Sequence, residues 1–388
     1  MRLIPVFILS CLSLGAAAQK PRARDLGVPF DGKPGPGNAI TDVPGVLVGY
    51  KTLISGSGPL KTGKGPVRTG VTVILPQGRS DKPWPAGWFC LNGDGEMTGT
   101  TVIDEYGLGY GPIGITNTNS VGVVRDAIGA WSIRNFPQAG LIDFSFGLPV
   151  VAETFDGLLN DINGLHVKKE HVWEALDSAR GGRIAEGNVG GGTGMSLFGF
   201  KGGSGTASRT VRIDSNTSYT IGVFVQANFG GRQDLLIAGV PVGKEIRDLR
   251  SEYHQTKEKD GSIIVIVATD APLLPSYLKL LAKRASLGIA RTGGMAYNSS
   301  GDIVLAFSTR TPANNEKNTQ STWTTLPKER LDGLYRATVQ ATEEAIINVL
   351  VAAETMEGIN GNKDHALPHD RLQEVLKKYN RYTPPAEK

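Results

Sequence analysis

A serine that opens an apolar strand directly after a charged run can become a nucleophile if the chain is cut just before it. Ser262 is such a residue. The window from Gly243 carries Lys244, Glu245, Arg247, Asp248, Arg250, Glu252, Lys257, Glu258, Lys259 and Asp260, ends at Gly261, and is followed by Ser262-Ile263-Ile264-Val265-Ile266-Val267-Ala268-Thr269. A serine hydroxyl needs a base. A break between Gly261 and Ser262 would leave the serine its own α-amine, whose ordinary pKa of about 7.7–8.0 lies near working pH. Gly261 suits such a break, since no side chain stands between the hydroxyl and the preceding carbonyl. From these residues alone, a serine that merely opens a strand explains the pattern better.

The elements that must position this junction are legible in outline. Gly45 to Tyr50, Gly70 to Pro76, Tyr219 to Gln226 and Ile303 to Ser308 are β-branched or apolar runs bounded by turn residues and read as strands. Leu274, Leu278, Leu281, Ala285 and Ile289 recur at helical spacing, with Asp270 as cap, Pro272 in the first turn and Gly293-Gly294 as the stop. Leu331 to Leu350 marks a longer helix with one buried face. Helices alternating with buried strands predict helical layers covering sheets. The window from Gly243 to Gly261 is too polar to bury and reads as an exposed loop or frayed helix that tolerates a break. Gly187 to Gly194 holds five glycines, which implies a tight loop with backbone N–H groups available. The arm Arg22 to Gly45 reads as extended or mobile, as does the polar tail after Lys377.

Composition narrows the function classes. The 388 residues include 51 glycines and carry a formal charge of +4. No basic stripe interleaves with aromatics, so nucleic-acid binding has little support. No GxxxxGK[ST] loop or dinucleotide fingerprint is present. The five histidines form no HExxH pattern, and Pro368 between His365 and His369 argues against a helical metal face, so neither a metal nor a cofactor is expected. Residues 1–18, with Arg2, an apolar stretch and Ala16-Ala17-Ala18, read as a secretory signal. The expectation is an exported protein, periplasmic in a Gram-negative source, with no membrane span. Cys11 leaves with that signal, and Cys90 then has no disulfide partner.

Several ordered stretches together resemble the self-processing aminopeptidases that include the L-aminopeptidase D-amidase/esterase and the bacterial β-peptidyl aminopeptidases. They are Gly261-Ser262 with the strand and Asp270-Ala271-Pro272-Leu273 behind it, Glu186 to Met195, Val225 to Gly230, and Ser300-Gly301-Asp302. The resemblance covers nearly all of the chain beyond the signal. It implies a four-layer αββα sandwich, layered like the N-terminal nucleophile hydrolases but connected differently. It also implies cleavage into an α chain (19–261) and a β chain (262–388) within one structural domain, assembled as a homotetramer.

By the same resemblance, Ser262 is the nucleophile, Ser300 supports its hydroxyl or amine, and Asp302 orients that pair. Ser299 adjoins Ser300 and leaves the choice of serine open. Asn228 is the oxyanion-hole candidate, although a strand-end asparagine can simply close a turn. Glu153, a carboxylate in an apolar setting, is the candidate anchor for the substrate's ammonium; otherwise it is a solvated strand end. Phe155 stands where the α-amino-specific enzymes would have tyrosine, which tilts the expectation toward β-amino acid substrates. Short peptides, amides and esters are the implied substrates. Two rivals stand beside this reading: acyl transfer of the ornithine acetyltransferase type, where threonine is expected at the junction, and a secreted binding protein built on the glycine-rich loops.

Overall fold

The computed structural model describes residues 20–136, 147–254, 261–311, 313–314 and 321–385. The signal read at 1–18 and the polar residues 255–260 lie outside them.

In chain order the principal elements begin with β1 (Leu47–Ser55), β2 (Val67–Leu75), β3 (Trp84–Gly93), α1 (Thr100–Tyr106), β4 (Leu108–Gly109) and β5 (Ile113–Asn117). They continue with α2 (Val121–Asn135), β6 (Val151–Thr154), α3 (Lys169–Asp177), a short hairpin of β7 (Ser196–Leu197) and β8 (Phe200–Lys201), β9 (Gly203–Arg212) and β10 (Ser218–Asn228). The single-turn α4 (Val242–Glu245), β11 (Ser262–Thr269), α5 (Pro275–Arg291), β12 (Gly301–Ser308), α6 (Asp332–Ala352) and α7 (His369–Lys378) complete the set.

Two sheets stack face to face. One has the order β1-β2-β5-β6, the other β4-β3-β12-β11-β10-β9. β11 and β12 run parallel, with α5 as their crossover, and β10 joins β11 antiparallel. The whole of β11 is buried because both of its faces are covered, which is why it reads as an unbroken apolar run rather than an alternating one. Ile263, Val265 and Val267 pack into the core beneath α5 and α6, while Ile264, Ile266 and Ala268 pack into the core between the sheets. Each such valine or isoleucine contributes roughly 1.5–3 kcal/mol on burial. A third core joins the outer face of β2 to α2 and α3 through Val73, Leu75, Val124, Ile128 and Val172. The layers are therefore helix, six-stranded sheet, four-stranded sheet, helix: the expected αββα sandwich.

Three local expectations change. The first helix of the β portion begins at Pro275, because Asp270 accepts the Thr220 N–H at 2.7 Å instead of capping a helix. The arm after Arg22 is bonded into its own chain: Arg22 Nε lies 2.8 Å from Glu186 Oε2, and Arg24 Nε 2.7 Å from Glu344 Oε1. The tail after Lys377 leaves the end of α7 and returns along its own chain, with the Thr383 N–H donating to the Gly27 carbonyl at 2.9 Å.

Candidate active site

The registers of three strands bring the candidate residues together. β10 ends where β11 begins, pairing Asn228 with Ser262, and on its other side Ser262 pairs with Gly301. Ser262 is buried. The Gly301 N–H donates to the carbonyl oxygen of Gly261 at 3.1 Å, so the bond proposed for cleavage has its oxygen already held by a backbone donor.

Ser300 and Asp302 sit two apart where β12 begins, and side chains two apart on a strand share a face. The Ser300 hydroxyl donates to Asp302 Oδ1 at 2.8 Å. Ser299 takes a left-handed conformation in the preceding turn (φ 67°), which leaves Ser300 as the serine bonded to the carboxylate. Burial raises the Asp302 carboxyl to about 6, opposed by the hydrogen bonds from Ser300 and the Ile263 N–H. Its proton is therefore exchangeable near working pH. Asn228, Gly261, Ser300 and Asp302 line one cleft together with Phe229 and Tyr297.

The amide of Asn228 is held at both ends. Its Oδ1 accepts the Ser196 N–H at 2.8 Å, and its Nδ2 donates to the Phe155 carbonyl at 2.9 Å. Phe155 thus meets the site through its backbone, while its ring is partly exposed.

Glu153 lies on β6 of the other sheet and is buried. Its Oε1 accepts the Glu96 N–H at 3.0 Å and its Oε2 the Thr118 hydroxyl. Burial raises its pKa, against the pull of those two hydrogen bonds. A glycine stands between Glu153 and the start of β12: a Cβ on Gly95 would lie 3.3 Å from Glu153 Oε1 and 3.0 Å from the Gly301 Cα. Glycine at 95 is what lets the sheets approach here.

The glycine run does a different job from the one expected. Gly190–Gly194 is a buried 3-10 turn wedged between the sheets, and a Cβ on Gly191 would fall 2.2 Å from Gln226 Oε1. Its N–H groups are spent internally, Gly190 on Thr52 Oγ1 and Gly191 on Thr72 Oγ1, so the run is packing and not a cradle for substrate. Sequence reasoning missed Ser196 and Thr118, which orient Asn228 and Glu153. Ser196 follows the glycine run and Thr118 lies in the polar stretch Thr116 to Ser120, but neither context distinguishes a side chain that supports a site.

Comparisons with known proteins identify the chain's relatives. The chain is 52% identical to the β-peptidyl aminopeptidase BapA of Sphingosinicella microcystinivorans, with 97% of each chain covered. Among solved structures it resembles the L-aminopeptidase D-Ala-esterase/amidase of Ochrobactrum anthropi, described as a prototype of the serine aminopeptidases and a variant of the Ntn hydrolase fold. That likeness has a TM-score of 0.87 at 46% identity and covers 94% of this chain and 100% of that one. A Burkholderia β-aminopeptidase matches with a TM-score of 0.83 at 45% identity, over 92% and 99% of the two chains. The model of peptidase family S58 matches residues 38–364. The chain belongs to peptidase family S58 and is a serine aminopeptidase, a peptide hydrolase.

Proposed function

We propose that the chain cuts itself between Gly261 and Ser262 and then removes N-terminal residues, β-amino acids among them, from short peptides, amides and esters. The observation that carries the reading is the register that sets Ser262 between Asn228 and Gly301, beside the Ser300–Asp302 pair. In the precursor the Ser262 hydroxyl attacks the Gly261 carbonyl, whose developing negative charge the Gly301 N–H is placed to receive. The acyl group passes from nitrogen to oxygen, water hydrolyses the ester, and the amine of Ser262 is freed.

In turnover that amine accepts the hydroxyl proton as Ser262 attacks the substrate carbonyl, with Ser300 and Asp302 holding the hydroxyl and Asn228 facing the oxyanion. The leaving amine departs with a proton, and water releases the acyl-enzyme. Glu153 offers its carboxylate to the substrate's ammonium. The β-peptidyl preference rests on Phe155 and on the names of the relatives. An exported location and assembly of the α and β chains as a homotetramer belong to the same reading; light scattering on purified protein tests the assembly.

N-terminal sequencing of the purified protein, followed by a panel of α- and β-amino acid amides, tests the proposal. The expected result is a second N-terminus at Ser262 and turnover of a β-alanyl anilide. A single intact chain that turns over the anilide would refute self-processing.

A further inference from the structure

The charged window after Gly243 sorts its charges by side. Glu245 pairs with Lys378 at 2.8 Å and Asp248 with Arg371 at 2.7 Å, so both carboxylates are turned to α7. Lys244, Arg247 and Arg250 instead line a second cleft, whose lining includes no Asp or Glu among the described residues. That cleft shares Gly230 and Gly231 with the one holding Asn228, Ser300 and Asp302. No side chain projects from the shared wall.

Arg232 also lines the second cleft, but as a strut. Its donors go to the carbonyls of Phe198 at 2.9 Å, Ile246 at 2.9 Å and Leu249 at 2.6 Å, which pins the window in place. Arg247 and Arg250 spend only Nε on carbonyls of the window, those of Lys244 and Arg247. Neither they nor Lys244 pairs with a carboxylate among the described residues. Three cations thus line a cleft that adjoins the catalytic one across Gly230 and Gly231.

We propose that this basic cleft binds the C-terminal carboxylate of the peptide being shortened, so that short free-acid peptides are better substrates than their C-terminal amides. The inference rests on the aminopeptidase reading above and adds the leaving-side determinant to it. A peptide residue spans at most about 3.3–3.6 Å, so in a short substrate the carboxylate lies within a few residues of the scissile bond. Guanidinium groups bind a carboxylate through paired, charge-assisted hydrogen bonds. With Glu153 offered to the ammonium, a short peptide would be read at both ends.

The test compares a β-alanyl dipeptide with its C-terminal amide, with a β-alanyl anilide as the reference substrate, in the wild-type enzyme and in an Arg247→Gln, Arg250→Gln double variant. The wild type is expected to favour the free acid in kcat/KM by about tenfold, through KM, as loss of a charge-assisted contact predicts. In the double variant acid and amide converge. The ratio is taken within each enzyme, so a smaller folded fraction cancels. A salt series on the wild type is independent of any variant, and the acid-to-amide ratio should fall as salt screens the cleft. Equal rates for acid and amide in the wild type, an unchanged ratio in the variant, or a salt-independent ratio overturns the carboxylate site while amide and anilide turnover still upholds the aminopeptidase. No turnover of any of the three substrates overturns both.

Discussion

Glu344 and Asp302 are carboxylates withdrawn from water to the same degree, 0% and 2% exposed, yet they titrate in opposite directions. Burial pushes the Glu344 carboxyl up, but hydrogen bonds from Arg24 and the charges of Arg209 and Arg24 outweigh it and hold the group below its ordinary range. Arg24 donates at 2.7 and 2.8 Å, Arg209 lies 2.6 Å away, and Asn38 adds a fourth contact at 2.6 Å. Among the described residues no cation pairs with Asp302: its hydrogen bonds come from Ser300 and the Ile263 N–H, and burial prevails. A buried charge with its full set of donors holds a structure together, whereas one left short of donors keeps a proton within reach of chemistry. The first ties the N-terminal arm to α6, and the second stands beside the proposed nucleophile.

The largest test of this contrast removes the nucleophile. Ser262→Ala is expected to run as one unprocessed chain on a denaturing gel and to lose at least about four orders of magnitude in activity. Two bands from that variant would separate processing from this corner of the molecule.

Exchanging the two carboxylates' fates comes next. Glu344→Ala strands two guanidiniums, one of them fully buried, and should cost roughly 3–5 kcal/mol in denaturant unfolding. Asp302→Asn should keep its unfolding midpoint near wild type and lose kcat by about a hundredfold, the scale of a lost orientation of the reacting hydroxyl. The reverse pattern would sink the distinction between saturated and unsaturated charges.

The pH dependence separates them again. Asp302 has a raised pKa of about 6 when folded, against an ordinary 3.8. Its stabilising contribution is therefore complete below the ordinary value and is lost as pH rises through about 6, while kcat/KM falls as acid protonates it. Glu344, with its pKa depressed, behaves oppositely: it stabilises above its ordinary value and loses that contribution as pH falls through the depressed one. An acid limb in kcat/KM that persists unchanged in Asp302→Asn would assign that limb to another group.

A smaller effect is expected at Thr118, which donates to Glu153. Thr118→Val should raise KM for free-amine substrates roughly tenfold, about 1.4 kcal/mol, with kcat little changed. The smallest is no effect at all: prolonged chelation should leave activity intact, and loss restored by zinc would bring a metal into the mechanism.

How much of this was legible depended on range. The start of β11 at Ser262 was readable because an unbroken β-branched run after a charged window is a local signal, whereas the Ser300–Asp302 pair came from the resemblance to a known family. The helix start at Pro275 was misplaced because Asp270 is claimed by Thr220, a partner 50 residues away. The glycine run was expected to leave its N–H groups available, since composition shows that backbone comes close to something but not to what. The arm and tail looked mobile because their partners, Glu344 for Arg24 and Gly27 for Thr383, are distant in the chain.

By itself, then, the sequence determined which segments are buried strands, where the nucleophile candidate begins one of them, and which serines, carboxylates and amide are the candidates for the chemistry. Tertiary structure alone decided that Asn228 faces Ser262 and that Gly301 flanks it on the other side. It decided, too, that Gly95 lies between Glu153 and the start of β12, and that Lys244, Arg247 and Arg250 line a neighbouring cleft while Glu245 and Asp248 turn to α7. The physical reason is that strand register and sheet stacking are set by burial on two faces at once, and no single segment carries that information.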